Sequence, residues 1–223
     1  MDRVDTADID GERFIRIIDY KTGNTKFSFR NLAGGLNIQM LLYLSAILRN
    51  GSTRYGNGTV SLPAGVLYVP SAAVSSVAKS GDEQSKLEAV NEQNTNFKMN
   101  GLLLDDVRVI SAMNSGLDGQ FIPPVMTKSG AFDKRYGSVV TAEQFEKIFE
   151  YVDVCVKHMA QELFSGSIEA FPMSGACRYC DFSSVCRFEQ GTRTNKLPHL
   201  DKEAALKRIN EVLSEIEVKK DEQ

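Results

Sequence analysis

The sequence contains no tryptophan, only two histidines and six prolines, and seventeen glycines among its 223 residues. So little Pro and Gly excludes a collagen-like or low-complexity chain, and 42% hydrophobic residues are enough for a packed core. No apolar run approaches the roughly 18 residues of a membrane span. The densest run, from Met40 to Leu48, is interrupted by Ser45. These absences exclude an integral membrane protein and a mainly disordered chain.

The N-terminal residues carry no apolar secretion signal, which predicts a cytoplasmic location. The 26 basic and 29 acidic residues give a net charge of −3, which argues against a protein that coats duplex DNA by itself. From Arg13 to Arg54, however, seven basic residues accompany the single acidic residue Asp19. This stretch predicts a positive field that attracts a polyanion, although a run of charge is more often a solvated face.

The first 21 residues predict a β-hairpin that turns at Asp10 and Gly11. The alternation of its second strand puts Asp19 and Lys21 on one face together with Ile15 and Ile17. The sequence after the hairpin predicts a helix over residues 36–48, which ends before Asn50-Gly51, and a strand over 63–70. It then predicts short strands at 102–104 and 107–110. A long helix is predicted from a Thr141–Gln144 capping box to Leu163, and a terminal helix over 206–216.

Asp19 and Lys21 lie two residues apart on one predicted strand, so a carboxylate that holds a metal and a cation that stabilises phosphate charge can share one site. A surface Asp–Lys pair is the alternative. Asp2 favours the catalytic interpretation because it lies on the neighbouring strand of the hairpin. Two carboxylates and the carbonyl oxygen of Tyr20 would supply the hard oxygen ligands that Mg²⁺ or Mn²⁺ prefers.

Gln39 and Tyr43 are four residues apart on the predicted helix that follows, so their side chains share one face and can reach one site. The alternative, a polar helix edge with a partly buried tyrosine, is equally compatible with the residues.

Three cysteines, Cys177, Cys180 and Cys186, fall within ten residues. They suit a soft metal or an iron–sulfur cluster but are one ligand short of four. A zinc site completed by His199 is the alternative. Cys155 lies on the apolar stripe of the preceding helix and is predicted to be a buried, inert thiol.

Several of these strings together resemble a known family. Asp2-Arg-Val-Asp, Ile18-Asp-Tyr-Lys-Thr-Gly and Gly35-Leu-Asn-Ile-Gln-Met-Leu-Leu-Tyr resemble the RecB-like branch of the PD-(D/E)xK nuclease superfamily. Pro63-Ala-Gly-Val-Leu-Tyr, Ala112-Met and the cysteine motif are similar to the C-terminal region of the B subunits of bacterial AddAB helicase-nucleases. The similarity runs from residue 1 to about residue 190.

The resemblance implies an α/β fold, a restriction-endonuclease-like core with a mixed central sheet flanked by helices and a C-terminal cysteine cluster. It implies a nuclease domain over residues 1–190, followed by a linker and an amphipathic helix over 191–223. Asp2 and Asp19 are then metal ligands, Lys21 is the catalytic lysine, and Gln39 and Tyr43 support the site near the DNA strand. The implied reaction is Mg²⁺-dependent hydrolysis of single-stranded DNA, of the 5′-ended strand, beside an AddA-type partner.

The same resemblance implies a [4Fe–4S] cluster held by Cys177, Cys180 and Cys186, with a fourth cysteine far upstream and outside this chain. The family also carries an acidic or histidine residue on a helix before the first strand, and this chain starts after that point. We therefore expect a piece of a larger protein with weak or no activity by itself. The second hypothesis is a non-catalytic DNA-binding or structural iron–sulfur module of the same complex.

Overall fold

A computed structural model describes residues 1–23, 25–51, 53–55, 58, 60–71, 82–86, 97–119, 121–124, 126–127, 130, 132, 139–186, 188–189, 196 and 198–221. The strands are β1 (Arg3–Ile9), β2 (Glu12–Lys21), β3 (Ser61–Pro70), β4 (Asn100–Leu104) and β5 (Val139–Val140). The helices are α1 (Phe29–Ala33), α2 (Gln39–Asn50), α3 (Val107–Met113), α4 (Ala142–Phe164), α5 (Ser183–Cys186) and α6 (Lys202–Asp221), with a 3₁₀ turn at Ala176–Tyr179.

The chain divides into two compact units. The sheet unit contains Met1–Ser28 and Asn37–Glu150, and the helical unit contains Phe29–Leu36 and Tyr151–Gln223. The predicted linker after residue 190 falls largely on 190–195 and 197, outside the described residues, so that domain boundary stays a prediction. Among the described residues, no helix is both long and apolar enough to span a membrane.

In the described part of the chain, the sheet has five strands in the order β1-β2-β3-β4-β5. β2 is parallel to β3 and β4 is parallel to β5, whereas the other two neighbouring pairs are antiparallel. The predicted mixed sheet flanked by helices is therefore confirmed. The hairpin is confirmed too, because Asp10 and Gly11 have the positive φ angles of 52° and 84° that a tight two-residue turn needs.

β3 contains one irregularity that sets its register. Ile15 on β2 is the partner of Pro63, whereas the next residue, Arg16, is the partner of Gly65, so Ala64 is an extra residue in β3. Proline lacks the N–H that a regular ladder requires, which makes it a suitable neighbour of a bulge. From that point to the end of both strands the pairing is even, and it places Asp19 beside Tyr68.

The helix predicted over residues 36–48 begins later, at Gln39. Asn37 has a positive φ of 58°, a left-handed conformation that interrupts a right-handed helix. α2 then packs on β2 and β3. Its buried residues are Met40, Leu41, Leu44 and Ser45.

The strand predicted over residues 107–110 was wrong, because these residues form the first half of α3. Asp106 caps the helix, and its carboxylate accepts a hydrogen bond of 2.8 Å from the Arg108 N–H. The cap outweighs the β-propensity of the two valines. Ile110 of α3 is buried with Ile18, Leu67 and Leu103 from three different strands.

α4 is the most regular of the predicted helices. The Thr141 N–H donates to Gln144 Oε1 at 3.1 Å, and the Gln144 N–H donates to Thr141 Oγ1 at 3.2 Å, which confirms the capping box. The helix stops at Gly166, where φ is 73°.

In the helical unit, the predicted terminal helix is α6, and it packs against α1. The buried residues of the two helices are Phe29, Leu32, Ala205, Leu206, Ile209 and Leu213. The Tyr151 hydroxyl donates to the Ala33 carbonyl oxygen at 2.8 Å and ties α4 to the end of α1. α1 is absent from the sequence prediction, since five residues are too few to show helical periodicity.

Candidate active site

The last residues of β2 carry the central pair of the site. Asp19 is only 5% exposed, and its Oδ2 forms an ion pair with the Lys21 ammonium. The two residues project to the same side of the strand because they are two positions apart. Apart from this ion pair, Asp19 Oδ2 is a buried oxygen with no hydrogen-bond partner among the described residues. The predicted Asp–Lys pair is therefore a partly buried charge cluster and not a surface pair.

Asp2 lies just before β1, on the strand next to Asp19. Its backbone N–H donates to the Ile18 carbonyl oxygen at 3.1 Å, and its Oδ2 accepts a hydrogen bond of 2.7 Å from the Tyr20 N–H. The structure thus brings the Asp2 carboxylate to the residue between Asp19 and Lys21. The metal role of the Tyr20 carbonyl stays a prediction.

The Lys21 ammonium beside the Asp19 carboxylate also affects its ionisation. Burial raises the pKa of the Asp19 carboxyl, whereas the ion pair with Lys21 lowers it, and the pKa lies below the ordinary value. Asp19 is ionised at neutral pH and is suited to bind a cation.

Tyr68 is a residue of this site that sequence reasoning did not select. It lies on β3 as the parallel partner of Asp19 and is 5% exposed. Burial and the neighbouring negative charge of Asp19 both raise the pKa of its hydroxyl. The phenol is therefore protonated at neutral pH. The string that contains Tyr68 was visible in the sequence, but its position beside Asp19 depends on the bulge at Ala64.

Gln39 and Tyr43 contact each other at the start of α2, where Gln39 Nε2 donates to the Tyr43 hydroxyl at 3.1 Å. α2 connects two parallel strands, so it runs back along the sheet and begins at the edge where β2 ends. That is the edge that carries Lys21. Among the described residues, neither the ion pair of Asp19 with Lys21 nor the hydrogen bond of Asp2 with Tyr20 includes Gln39 or Tyr43, and the supporting role of these two residues stays a prediction.

The three clustered cysteines lie in the helical unit. Cys177 is half-buried, and Cys180 and Cys186 are exposed. In the described part of the chain, no three His, Cys, Asp or Glu side chains are arranged to hold a metal ion. The cysteine cluster is therefore not confirmed, and the zinc alternative with His199 gains no support. Cys155 is half-buried, and burial raises the pKa of its thiol, as expected for an inert cysteine.

The mixed sheet, with a carboxylate and a lysine at the end of one strand and a second carboxylate on its neighbour, defines a nuclease fold of one particular class. Residues 1–187 match the PD-(D/E)XK nuclease superfamily, and the chain belongs to this superfamily.

More specific relatives are the B subunits of enzymes named ATP-dependent helicase/deoxyribonuclease. The B subunit from Clostridium perfringens is 34% identical over 95% of this chain and 19% of its own length. Those from Clostridium botulinum and Clostridium kluyveri are 35% and 33% identical over 88% of this chain and 17% of their own lengths. The chain thus spans about a fifth of the length of these relatives.

Proposed function

We propose that the chain is the nuclease module of an AddAB-type helicase-nuclease and that it hydrolyses phosphodiester bonds of single-stranded DNA with Mg²⁺ or Mn²⁺. The observation that carries the proposal is the buried Asp19 carboxylate, paired with Lys21 and flanked by Asp2 on the next strand. A carboxylate is rarely buried so fully unless a cation compensates its charge.

The residues present fit a hard divalent cation. Apart from its ion pair with Lys21, Asp19 Oδ2 is buried without a hydrogen-bond partner among the described residues. Asp2, Asp19 and the carbonyl of Tyr20 would hold the ion, which matches the preference of Mg²⁺ for one or two carboxylates with water and phosphate completing the shell. A bound Mg²⁺ supplies Lewis acidity at the phosphate.

The other groups act on the substrate directly. The Lys21 ammonium stabilises the negative charge that grows on the phosphate as the attacking oxygen approaches, and it orients the attacking water. Gln39 and Tyr43, at the edge where β2 ends, would hold the DNA strand beside these groups.

The names of the relatives support the proposed partner, whereas the substrate strand rests on the family resemblance of the sequence alone. Their name pairs a helicase with a deoxyribonuclease, and their designation as B subunits implies a further subunit. We propose an AddA-type helicase-nuclease as the partner, the 5′-ended strand as the substrate of this module, DNA-end repair as the process and the cytoplasm as the location.

The test is cleavage of end-labelled single-stranded DNA by the chain, alone and combined with an AddA-type subunit. We expect weak cleavage by the chain alone and stronger Mg²⁺-dependent cleavage in the complex. Asp19→Asn should lower the rate about a hundredfold or more, because it removes one negative charge from the metal site. Asp8→Asn is the matched control, since Asp8 lies on the same hairpin but pairs with Arg13. Cleavage by Asp19→Asn at the wild-type rate would favour the non-catalytic DNA-binding module.

We also propose that Cys177, Cys180 and Cys186 supply three ligands of a [4Fe–4S] cluster in the full-length protein. In the present arrangement the three thiols do not form a ready ligand set, and no step of the proposed reaction uses them. Anaerobic purification with visible spectroscopy and metal analysis tests this. Visible charge-transfer absorption that is lost in Cys180→Ser and kept in Cys155→Ser supports the cluster. Bound zinc without colour supports the alternative.

A further inference from the structure

The further inference concerns Tyr68, the tyrosine on β3 beside Asp19. In a parallel pair, partner residues project to the same face of the sheet, so the Tyr68 ring and the Asp19 carboxylate share one face. The proximity is also visible in the electrostatics, because the charge of Asp19 contributes to the raised pKa of the tyrosine. Tyr68 therefore borders the metal site from the strand opposite Asp2.

The hydroxyl of Tyr68 has an unusual environment for a buried tyrosine. Its pKa is raised by burial and by Asp19, with no contribution from a hydrogen bond. Only two buried side-chain polar atoms of the described residues lack a hydrogen-bond partner, and they belong to Asp19 and Ser61. The ring of Tyr68 is thus packed in the core, whereas its hydroxyl is not one of these two enclosed atoms and donates its proton to no described residue.

An anionic substrate at this site would find few hydrogen-bond donors. The Lys21 ammonium is already engaged with the Asp19 carboxylate, and Asp2 and Asp19 are acceptors. A phenol is a neutral donor whose position is fixed by its ring, so it adds a hydrogen bond without losing the entropy that a flexible side chain loses. An ordinary core tyrosine would instead donate to a protein acceptor, as Tyr151 does to Ala33.

We propose that the Tyr68 hydroxyl is a catalytic hydrogen-bond donor to a non-bridging oxygen of the scissile phosphate. The inference rests on the proposed nuclease function and adds a group that contacts the substrate. The hydrogen bond strengthens as charge grows on the phosphate, so it stabilises the transition state more than the bound substrate.

The first experiment locates Tyr68 relative to the metal without using activity. The chain has no tryptophan, so luminescence of bound Tb³⁺, a hard oxygen-seeking cation, is sensitised by nearby tyrosines alone. Tyr20 and Tyr68 both adjoin the site. Tyr43 lies at the edge where β2 ends and is a third candidate sensitiser. We expect Tyr68→Phe to lower the Tb³⁺ emission roughly 1.5- to 2-fold, since it removes one of these tyrosines, and to leave the Tb³⁺ affinity unchanged. Tyr55→Phe, remote from the site beside Arg13, should change neither. Full emission from Tyr68→Phe would overturn the placement.

The second experiment measures the role. In the complex with an AddA-type subunit, we expect Tyr68→Phe to lower kcat about 10- to 100-fold with KM for DNA unchanged, since the lost interaction acts in the transition state. An unchanged kcat, in a preparation where Asp19→Asn abolishes cleavage, would overturn the role of Tyr68 and leave the nuclease proposal standing. A wild-type complex that cleaves no DNA would overturn the nuclease proposal itself, and the catalytic role of Tyr68 with it.

Discussion

Asp19 illustrates how one side chain can combine burial with a negative charge. Its carboxylate lies within the sheet unit at 5% exposure, and the Lys21 ammonium offsets the loss of solvation. The pairing with Lys21 was predictable, because a separation of two residues on a strand fixes a shared face. Tyr68 was not predictable, because its place beside Asp19 depends on how a distant strand pairs.

Asp5 on β1 has a carboxyl group whose ionisation should make the stability of the fold depend on pH. Partial burial raises the pKa of its carboxyl, but hydrogen bonds from Arg16 and Arg3 lower it more, so the pKa lies below the ordinary value. A lowered pKa in the folded state means that ionised Asp5 stabilises the fold above about pH 3.9, its unfolded pKa. This stabilisation is lost as the pH falls through the folded-state pKa.

We therefore expect Asp5→Asn to reduce the free energy of unfolding by about 1 kcal/mol at pH 7, since the ion pair is partly exposed to solvent. The difference from wild type should shrink towards pH 3. Urea unfolding at both pH values measures it. An equal difference at the two pH values would contradict the assigned cause.

At the scale of the element, sequence patterns succeeded where the signal is local. The hairpin follows from its turn residues, β3 from a short apolar run between two prolines and α4 from a capping box, all of which act within a few residues. The prediction of a strand over residues 107–110 failed because Asp106 caps a helix there, and the β-branched residues of the segment do not reveal that cap. The start of α2 failed by three residues because Asn37 takes a left-handed conformation, which its side-chain type permits but does not require.

The capping box of α4 should contribute measurably to the stability of the fold. Thr141→Ala removes the hydroxyl that accepts from the Gln144 N–H, and we expect it to reduce the free energy of unfolding by about 1 kcal/mol. Thr141→Ser keeps the hydroxyl and serves as the control. Chemical denaturation followed by circular dichroism measures both variants, and equal losses in the two would mean that the methyl group, not the cap, stabilises the helix.

Gly101 on β4 is a position where any larger side chain should destabilise the sheet. A Cβ at this position would overlap the Val66 carbonyl oxygen on the neighbouring strand. Gly101→Ala must therefore push β3 and β4 apart, and we expect a loss of about 3 kcal/mol in the free energy of unfolding. Gly23→Ala is a suitable control, because a Cβ there meets no atom within 4 Å. Thermal unfolding compares the two, and a stable Gly101→Ala variant would show that the strands can separate cheaply.

At the scale of the whole molecule, the class of the sheet and the family were predictable, whereas the grouping of the chain into two units was not. The apolar stripe of α4 predicts one continuous helix and contains no sign that its residues from Tyr151 onward group with Phe29–Leu36. The sequence also did not predict that the terminal helix packs against α1, because α1 is too short to be recognised by its periodicity. Contacts between segments far apart in the sequence leave no local pattern to detect.

Metal binding should stabilise the folded chain as a whole. A cation that binds only the folded state at a hundred times its Kd adds about 2.7 kcal/mol, which corresponds to roughly 5–10 °C in Tm for a chain of this size. We expect Mn²⁺ to raise Tm by this amount in wild type and in Asp8→Asn, and to have little effect on Asp19→Asn. Differential scanning calorimetry with and without a chelator measures the shift. An equal rise in Asp19→Asn would place the stabilising ion elsewhere.

The surplus residue at Ala64 governs more than strand geometry. If the pairing of Ile15 with Pro63 had continued evenly, Asp19 would stand beside Leu67, and a hydrocarbon side chain would replace the phenol on the face that carries Asp19. Successive side chains of a strand alternate between faces, so one added position inverts everything downstream of it. The residue that stands beside Asp19 is thus determined by a bulge several positions earlier in β3, at a residue that contributes no polar group to the site.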